Sequence, residues 1–395
     1  MRDMNPPPIE TRATPRQMLG MPAARFLSVY WQKHPLLIRA AFPDFQPPIS
    51  PDELAGLALE EAALARLIVH DRQRDQWRVK SAPLAEADFT STPPADWTLL
   101  VQDVDKWDAD VAALLAHFRF LPSWRIDDVM ISYAENGGGV GAHVDQYDVF
   151  LLQGLGRRHW HIDARPNPPL AFRPDVELKQ LADFTPSHRW TLEPGDMLYL
   201  PPGVPHDGIA DGDCMTISVG MRAPSAAELL LDLSEHLAEF LPESQRYADP
   251  DLAPAGRAGE IDAAALTRAA AALGPLAGAL DRHAFADWFG RFITRYRSAQ
   301  FAAAPPRPPG ATALERALAK GARFSRHPWS RCAWHARGRG AMLYVAGEAW
   351  PCSAALARTL CAERDFTLDD SITPGDRQTV LGLLAGGHLL LRKNR

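Results

Sequence analysis

His143 and Asp145 stand two residues apart, directly after the run Gly137-Gly138-Gly139-Val140-Gly141. In extended backbone, residues i and i+2 point to the same face. An extended Ala142–Asp145 therefore lets one imidazole and one carboxylate reach a single ion. The glycines ahead of them allow a tight bend and leave room for a ligand beside the main chain. A second imidazole would complete a facial set of two histidines and one carboxylate. Such a set holds Fe(II) and leaves adjacent coordination positions open.

His206 is the candidate for that second imidazole. Glu193-Pro194-Gly195-Asp196 reads as a turn, Met197 to Leu200 as a buried strand, and Pro201-Pro202-Gly203 as a second turn. His206 then falls at the entrance of a further strand. The pair His161 and Asp163 has the same spacing as His143 and Asp145, but no glycine run or turn precedes it, and it reads as structural. The remaining histidines (His34, His70, His117 and others) are scattered and read as surface or capping residues. Zinc would accept similar ligands, so the donor set alone leaves the metal open.

Arg158 is the second group of interest. In a strand Arg157–Ile162, alternation puts Arg158 on one face with Trp160 and Ile162, and Arg157, His159 and His161 on the other. A guanidinium on an apolar face is costly unless an anion meets it. That anion is either a ligand or an internal acid, with Glu135 as one candidate. Gln146, Tyr147 and Asp148 follow the His143/Asp145 pair and are expected to line the mouth of the site. An acid and an aromatic ring there suit a cationic substrate. The plainer reading makes Tyr147 a core residue and Asp148 a turn residue.

The elements that must hold these groups read as follows. A proline-rich arm covers residues 1 to about 20, and Ala23–Lys33 has helical spacing of Phe26, Leu27, Tyr30 and Trp31. Leu36–Arg39 reads as a strand, and Ser50 caps a helix that runs from Pro51 to about Leu59. Strands are expected at Leu67–His70, Trp77–Lys80 and Trp97–Gln102, and a helix at Asp108–Phe118. The apolar run Val149–Leu152 and a glycine-bounded turn then lead to the Arg157–Ile162 strand. The fold class is mainly β with α.

After Pro224 the character changes. Ser225–Phe240 carries a capping serine, a glutamate three residues on, and Leu229, Leu230, Leu233 and Leu237 along one face. Asp262–Arg297 is alanine-rich and helical, with a break near Gly274-Pro275. Pro305-Pro306-Arg307-Pro308-Pro309 reads as a stiff linker. The remainder runs helix (Leu314–Lys320), basic loop, strand (Met342–Val345), helix (Ser353–Cys361), helix (Asp376–Leu384) and strand (His388–Arg392), the outline of a winged helix. Arg316–Arg339 is basic, free of acids and interleaved with Phe324, Trp329 and Trp334. It reads as a solvated face, with a weak RNA contact as the alternative.

With 395 residues the chain has room for two or three domains and a sizeable core. Apolar residues make up 46% and charged residues 23%, the balance of an ordinary globular protein. A net charge of −6 argues against a protein that coats nucleic acid along its whole surface. Cys214, Cys332, Cys352 and Cys361 show no CxxC spacing, so reduced thiols are expected. No apolar run reaches a membrane span, and the N-terminus lacks a signal-peptide core. A cytoplasmic location is expected.

Two longer stretches carry a resemblance. The run GGGVGxHxDQYDVFxxQGxGRRxW (Gly137–Trp160) and the segment FLSVYWQKHPLLIRAAFPDF (Phe26–Phe45) resemble the JmjC branch of the Fe(II)/2-oxoglutarate oxygenases. More narrowly, they are similar to bacterial ribosomal oxygenases, which hydroxylate an arginine of the sixteenth large-subunit ribosomal protein. The resemblance implies a double-stranded β-helix (cupin/JmjC jelly roll) over residues 1–222, a helical dimerisation domain over 223–304, and a winged-helix-like domain over 305–395. It implies Fe(II) at His143, Asp145 and His206, with O₂ as oxidant. It implies 2-oxoglutarate at Arg158 with Ser132 beside it, and a ribosomal protein as substrate near Tyr147, Gln146 and Asp148. It also implies a homodimer. Two other classes remain in view. A metal-dependent cupin acting on a small molecule would keep the triad without needing Arg158. A ribosome- or RNA-associated binding protein would carry a vestigial barrel.

Overall fold

The computed structural model describes residues 7–239, 241, 244, 246–250, 263–272, 282–296 and 301–392. The chain divides into two compact units, Met1–Ala223 and Pro224–Arg395.

The first unit is built on one ten-stranded sheet. Its strands are β1 (Glu10–Arg12), β2 (Leu36–Arg39), β3 (Ala65–Asp71), β4 (Gln76–Ser81), β5 (Trp97–Val101), β6 (Ile126–Ala134), β7 (Val149–Ile162), β8 (His188–Leu192), β9 (Met197–Leu200) and β10 (His206–Met221). The order is β1-β2-β9-β7-β10-β6-β5-β3-β4, with β8 added beside β7. The two longest strands, β7 and β10, run antiparallel through the middle. The free edge of β7 is shared: Val149–Leu152 pairs with β9 and Arg158–Ile162 with β8.

Alternation divides the strands between two cores. Leu36, Ile38, Phe150, Leu152, Met197, Tyr199, Ile217 and Val219 pack in a large cluster with the N-terminal helices, centred on the fully buried Phe26. Leu37, Val149, Leu151, Leu198 and Leu200 point the other way, into a smaller cluster with Trp160 and Ile162. Phe26 touches Tyr199, Phe150 and Phe120 at ring distances of 4.9, 5.8 and 5.9 Å. Its truncation to alanine would cost about 3–5 kcal/mol. The helix Pro51–Ala58 is closed by the Ser50/Glu53 capping box, worth about 1 kcal/mol.

The expected glycine-bounded turn between Leu152 and Arg157 is absent: β7 is continuous from Val149 to Ile162. Met215 faces Leu155 while the next residue, Thr216, faces Gln153, so Gly154 is an extra residue on β7. This bulge changes the phase of the strand. Before it the odd residues Val149 and Leu151 face the smaller core; after it the even residues Trp160 and Ile162 do. Arg158, Trp160 and Ile162 share that face and are all buried.

Three further expectations are corrected. The arm is not wholly loose, because Glu10–Arg12 pairs in parallel with β2. Asp108–Phe118 is broken into a short α-helix, Ala109–Ala113, capped by Asp108, and a 3₁₀ turn, Leu114–Phe118. The basic loop of the second unit is instead two strands, Arg323–Arg326 and Cys332–Arg337.

In the second unit, the helix Ala226–Ala238 carries the Ser225/Glu228 capping box. Helices also span Ala263–Ala272 and Arg282–Thr294, while the break expected near Gly274-Pro275 lies outside the described residues. The C-terminal part packs helices Ala311–Leu318, Ala354–Ala362 and Pro374–Ala385 with two three-stranded sheets around one apolar cluster. No described helix is long and apolar enough to cross a membrane.

Candidate functional site

The glycine run behaves as an extra length of strand along β10. Gly137 N–H donates to the Ala210 carbonyl, and Ala210 N–H to the Gly138 carbonyl (3.0 and 2.9 Å). Further along, His143 and His206 exchange both backbone hydrogen bonds at 2.9 Å. A side chain at Gly139 would sit 2.6 Å from the Gly208 carbonyl, so only glycine permits this approach. The pairing sets the two histidines side by side from sequence positions far apart.

Both rings are oriented by main-chain carbonyls. His143 Nδ1 lies 2.9 Å from the Gly141 oxygen, and His206 Nδ1 lies 2.9 Å from the Val204 oxygen. A carbonyl accepts only, so each Nδ1 carries the proton and each Nε2 offers a lone pair. The His206 Nε2 is 3.7 Å from an Asp145 carboxylate oxygen. The ligand atoms of His143, Asp145 and His206 all lie within 4.8 Å of one another. Burial, and then the neighbouring His143, push the His206 pKa down to about 4. It is therefore a neutral ligand at pH 7. Two neutral imidazole nitrogens with their other protons committed, beside one carboxylate, fit a divalent transition metal. Among the described residues this is the one such cluster.

Arg158 lies on the same face, 4% exposed. Its Nη1 donates to Ser132 Oγ (3.3 Å) and its Nη2 to the Gly208 carbonyl (3.0 Å). Its Nε is buried without a hydrogen-bond partner, as is the Nε1 of Trp160, whose ring lies 5.3 Å from the guanidinium carbon. Arg158 makes no ion pair among the described residues. The acid considered for that role, Glu135, accepts instead from the Tyr133 hydroxyl (2.8 Å). The guanidinium holds only neutral acceptors, with one N–H unused; the Asp207 carboxyl on β10 feels its charge without forming an ion pair with it. These features fit a carboxylate ligand between the triad and Ser132.

The three residues expected at the mouth separate. Gln146 is exposed. Tyr147 is 41% exposed as a residue, and its hydroxyl sits against the Asp145 carboxylate with Asp128 and Asp127 also near. Burial and those carboxylates raise its pKa. Asp148 departs from the expectation: it is fully buried, not at the mouth. Its carboxylate accepts from Tyr199 Oη (2.6 Å), Gln32 Nε2 (2.9 Å) and Arg125 Nη2 (3.3 Å). Those partners come from distant parts of the chain, and they hold the strand start at Val149 rather than a ligand.

The second His-x-Asp pair has another fate. Asp163 is gripped by Arg165 through two hydrogen bonds (2.8 and 2.6 Å), and His161 lies opposite Asp207 on β10. Asp127, Asp128 and Trp160 were not singled out by sequence reasoning. Trp160 was legible as Arg158's neighbour by alternation. The two aspartates carried no signal beyond their place at the start of β6.

Comparison with known proteins gives the following. The chain matches the JmjC domain family over residues 113–229, the ROXA-like winged helix family over 277–390, and the AraC-like ligand binding domain family over 186–304. The ribosomal protein uL16 3-hydroxylase of Escherichia coli K12 is 40% identical over 284 residues, covering 72% of this chain and 74% of that protein. A probable ribosomal oxygenase of Haemophilus influenzae is 37% identical over 228 residues, covering 58% and 54%. The crystal structure of E. coli ycfD superposes with a TM-score of 0.82 at 33% identity, covering 95% of this chain and 99% of that one. A structure of YcfD, a ribosomal oxygenase, in complex with cobalt and 2-oxoglutarate gives a TM-score of 0.79 at 32% identity over the same shares.

Proposed function

Because the chain belongs to the bacterial JmjC-type ribosomal oxygenases, we propose that it is an Fe(II)- and 2-oxoglutarate-dependent hydroxylase of the ribosomal protein uL16, acting on the β-carbon of an arginine. The observation that carries this reading is the Arg158 guanidinium, buried without an ion pair among the described residues on the face that bears the His143/Asp145/His206 cluster.

In this reading His143, Asp145 and His206 hold Fe(II), while Arg158, with Ser132 at its side, takes the distal carboxylate of 2-oxoglutarate. Bound iron with 2-oxoglutarate and O₂ supplies the oxidising power that replaces a C–H by C–OH, with succinate and CO₂ as the other products. The protein contributes position and dryness. The main-chain pairing of His143 with His206 fixes the ligand rings, and the bulge at Gly154 turns Arg158 inward. Tyr147, with the partly exposed Asp127 carboxylate near it, makes a mouth suited to a guanidinium. The exposure of Gln146 next to Tyr147 supports a contact with the substrate polypeptide.

We read residues 1–222 as catalytic, 223–304 as a dimerisation domain and 305–395 as a winged-helix domain, in a cytoplasmic homodimer. The helix Ala226–Ala238 supports the dimer: Leu230 is 66% exposed, beside an apolar groove of about 220 Å³ that Leu233, Phe285 and Trp288 help to line. A weak RNA contact through Arg316–Arg339 is supported by Arg337, Arg339 and Trp334, which are exposed on one hairpin.

The test is intact-mass spectrometry of ribosomal proteins from cells with and without the enzyme, with succinate release measured alongside. One added oxygen on uL16, together with succinate formation from 2-oxoglutarate, is the expected result. No turnover of 2-oxoglutarate with Fe(II) and ascorbate present would reject the assignment.

A further inference from the structure

The loop that carries His143 is paired with β10 along one edge, and its other edge is held by a part of the chain with no assigned role. Residues 163–187, between β7 and β8, form an excursion that folds on itself. Phe172 bridges to Leu181, Arg173 N–H donates to the Gln180 carbonyl (2.8 Å), and Ala182 N–H donates to the Ala171 carbonyl (2.8 Å). Arg173 ties this fold to Asp75 in the β3–β4 turn (2.9 Å) and to Asp175 (2.7 Å).

The inner edge of the excursion meets the glycine run. Leu181 N–H donates to the Ala142 carbonyl (2.8 Å). The side chain of Gln180, 3% exposed, donates from Nε2 to the Val140 carbonyl (2.9 Å). Gly141 between them has φ +78°, and a side chain there would stand 2.5 Å from Gln180 Nε2. Only glycine fits under the amide. The carbonyl of Gly141 is the group that accepts from His143 Nδ1. A chain of contacts thus runs from Gln180 through Val140 and Gly141 to the ring that faces Asp145 and His206.

We propose that Gln180 is a positioning residue for the metal centre: its amide fixes the bend at Val140-Gly141, so that the Gly141 carbonyl aims the His143 ring. Leu181 makes its bond to the loop through main chain and would do so with any side chain. Gln180 is the position in the excursion where the side chain itself sets the geometry. Residues that orient a metal-bound imidazole change metal affinity about ten- to a hundredfold when removed.

The inference rests on the reading of His143, Asp145 and His206 as metal ligands, and the experiment separates the two. Metal-stripped protein is titrated with Co(II) alone, following the visible absorption of the bound ion. Four variants are compared with the parent: Gln180→Met, Gln180→Leu, Arg173→Ala and His206→Ala. Met and Leu remove the N–H donor and keep an apolar side chain in its place. Both should weaken Co(II) binding at least tenfold and alter the absorption band. Arg173→Ala loosens the same excursion without touching the glycine run, and should leave affinity within threefold of the parent. Parent-like Co(II) binding in a folded Gln180→Met or Gln180→Leu overturns the proposal. An equal loss in Arg173→Ala also overturns it, because the effect would then belong to the excursion as a whole. Co(II) binding that survives in His206→Ala overturns the metal reading itself, a result distinct from either.

Discussion

Arg158→Ala is the most informative perturbation, because its expected effects on binding and on stability have opposite sign. A guanidinium gripping a carboxylate through two charge-assisted hydrogen bonds contributes about 3–5 kcal/mol in a buried setting. At about 1.4 kcal/mol per tenfold, its removal should weaken 2-oxoglutarate binding roughly a hundred- to a few thousandfold. Without co-substrate, the guanidinium is buried with an unused Nε and no ion pair among the described residues. Relief of that buried charge, which the Asp207 carboxyl offsets only in part, balances the lost packing of its stem against Trp160. The ligand-free variant should therefore unfold in urea at the same concentration as the parent or slightly above it. Its bonds go to Ser132 and the Gly208 carbonyl and not to the triad, so metal content should not change. Calorimetric titration of the Mn(II)-loaded protein with 2-oxoglutarate, metal analysis and urea melts supply the three readouts. Loss of metal in parallel with co-substrate, or a strongly destabilised ligand-free protein, would refute the reasoning, because Arg158 would then be a structural residue.

Other outcomes follow from the same structure. Asp148→Ala should destabilise the first unit by about 3–5 kcal/mol in urea melts, since Arg125, Tyr199 and Gln32 lose a fully buried shared acceptor; a loss under 1 kcal/mol would contradict that network. Burial, and then the neighbouring Asp127, Asp103 and Asp105, raise the Asp128 pKa to about 7. Stability from its protonated form is complete below pH 4 and is lost as pH rises toward 7. Asp128→Asn should thus match the parent at pH 4 and exceed it by up to about 4 kcal/mol at pH 8, and a gap independent of pH would count against the assignment. Deleting Gly154 should abolish 2-oxoglutarate binding as fully as Arg158→Ala does, measured by the same titration, because the residues after it change face.

The features legible in the sequence were those set by short-range periodicity. His143 and Asp145 lie two apart after a glycine run, and Arg158 shares its parity with Trp160 and Ile162, so their faces followed from local spacing alone. The winged-helix outline followed from the order of short helices and strands after the proline linker, two of whose helices the structure caps at Ser353 and Thr373. Asp148 was misread because nothing local marks it as buried; Gln32, Arg125 and Tyr199 reach it from residues 23 to 116 positions away. The strand at Glu10–Arg12 was missed for a related reason, since its partner β2 supplies the pairing and its own three polar residues give no pattern. The bulge at Gly154 was hidden in plain view. Three glycine-rich residues look like a turn, and only the facing strand reveals that the chain runs straight through.

That single surplus residue makes β7 two half-strands out of step. The leading half is anchored to β9 by hydrophobic packing, and the trailing half presents the arginine. Chain length between these anchors therefore decides which side of the wall the positive charge occupies. Drift in this segment should be intolerant of insertion or loss by one, while a change of two would restore the phase; Gly156, at φ +59° and with a side chain there 2.1 Å from the Asp213 carbonyl, should resist substitution as well. A lesion of that kind would leave His143, Asp145, His206 and Arg158 all present in the sequence and still disable the enzyme.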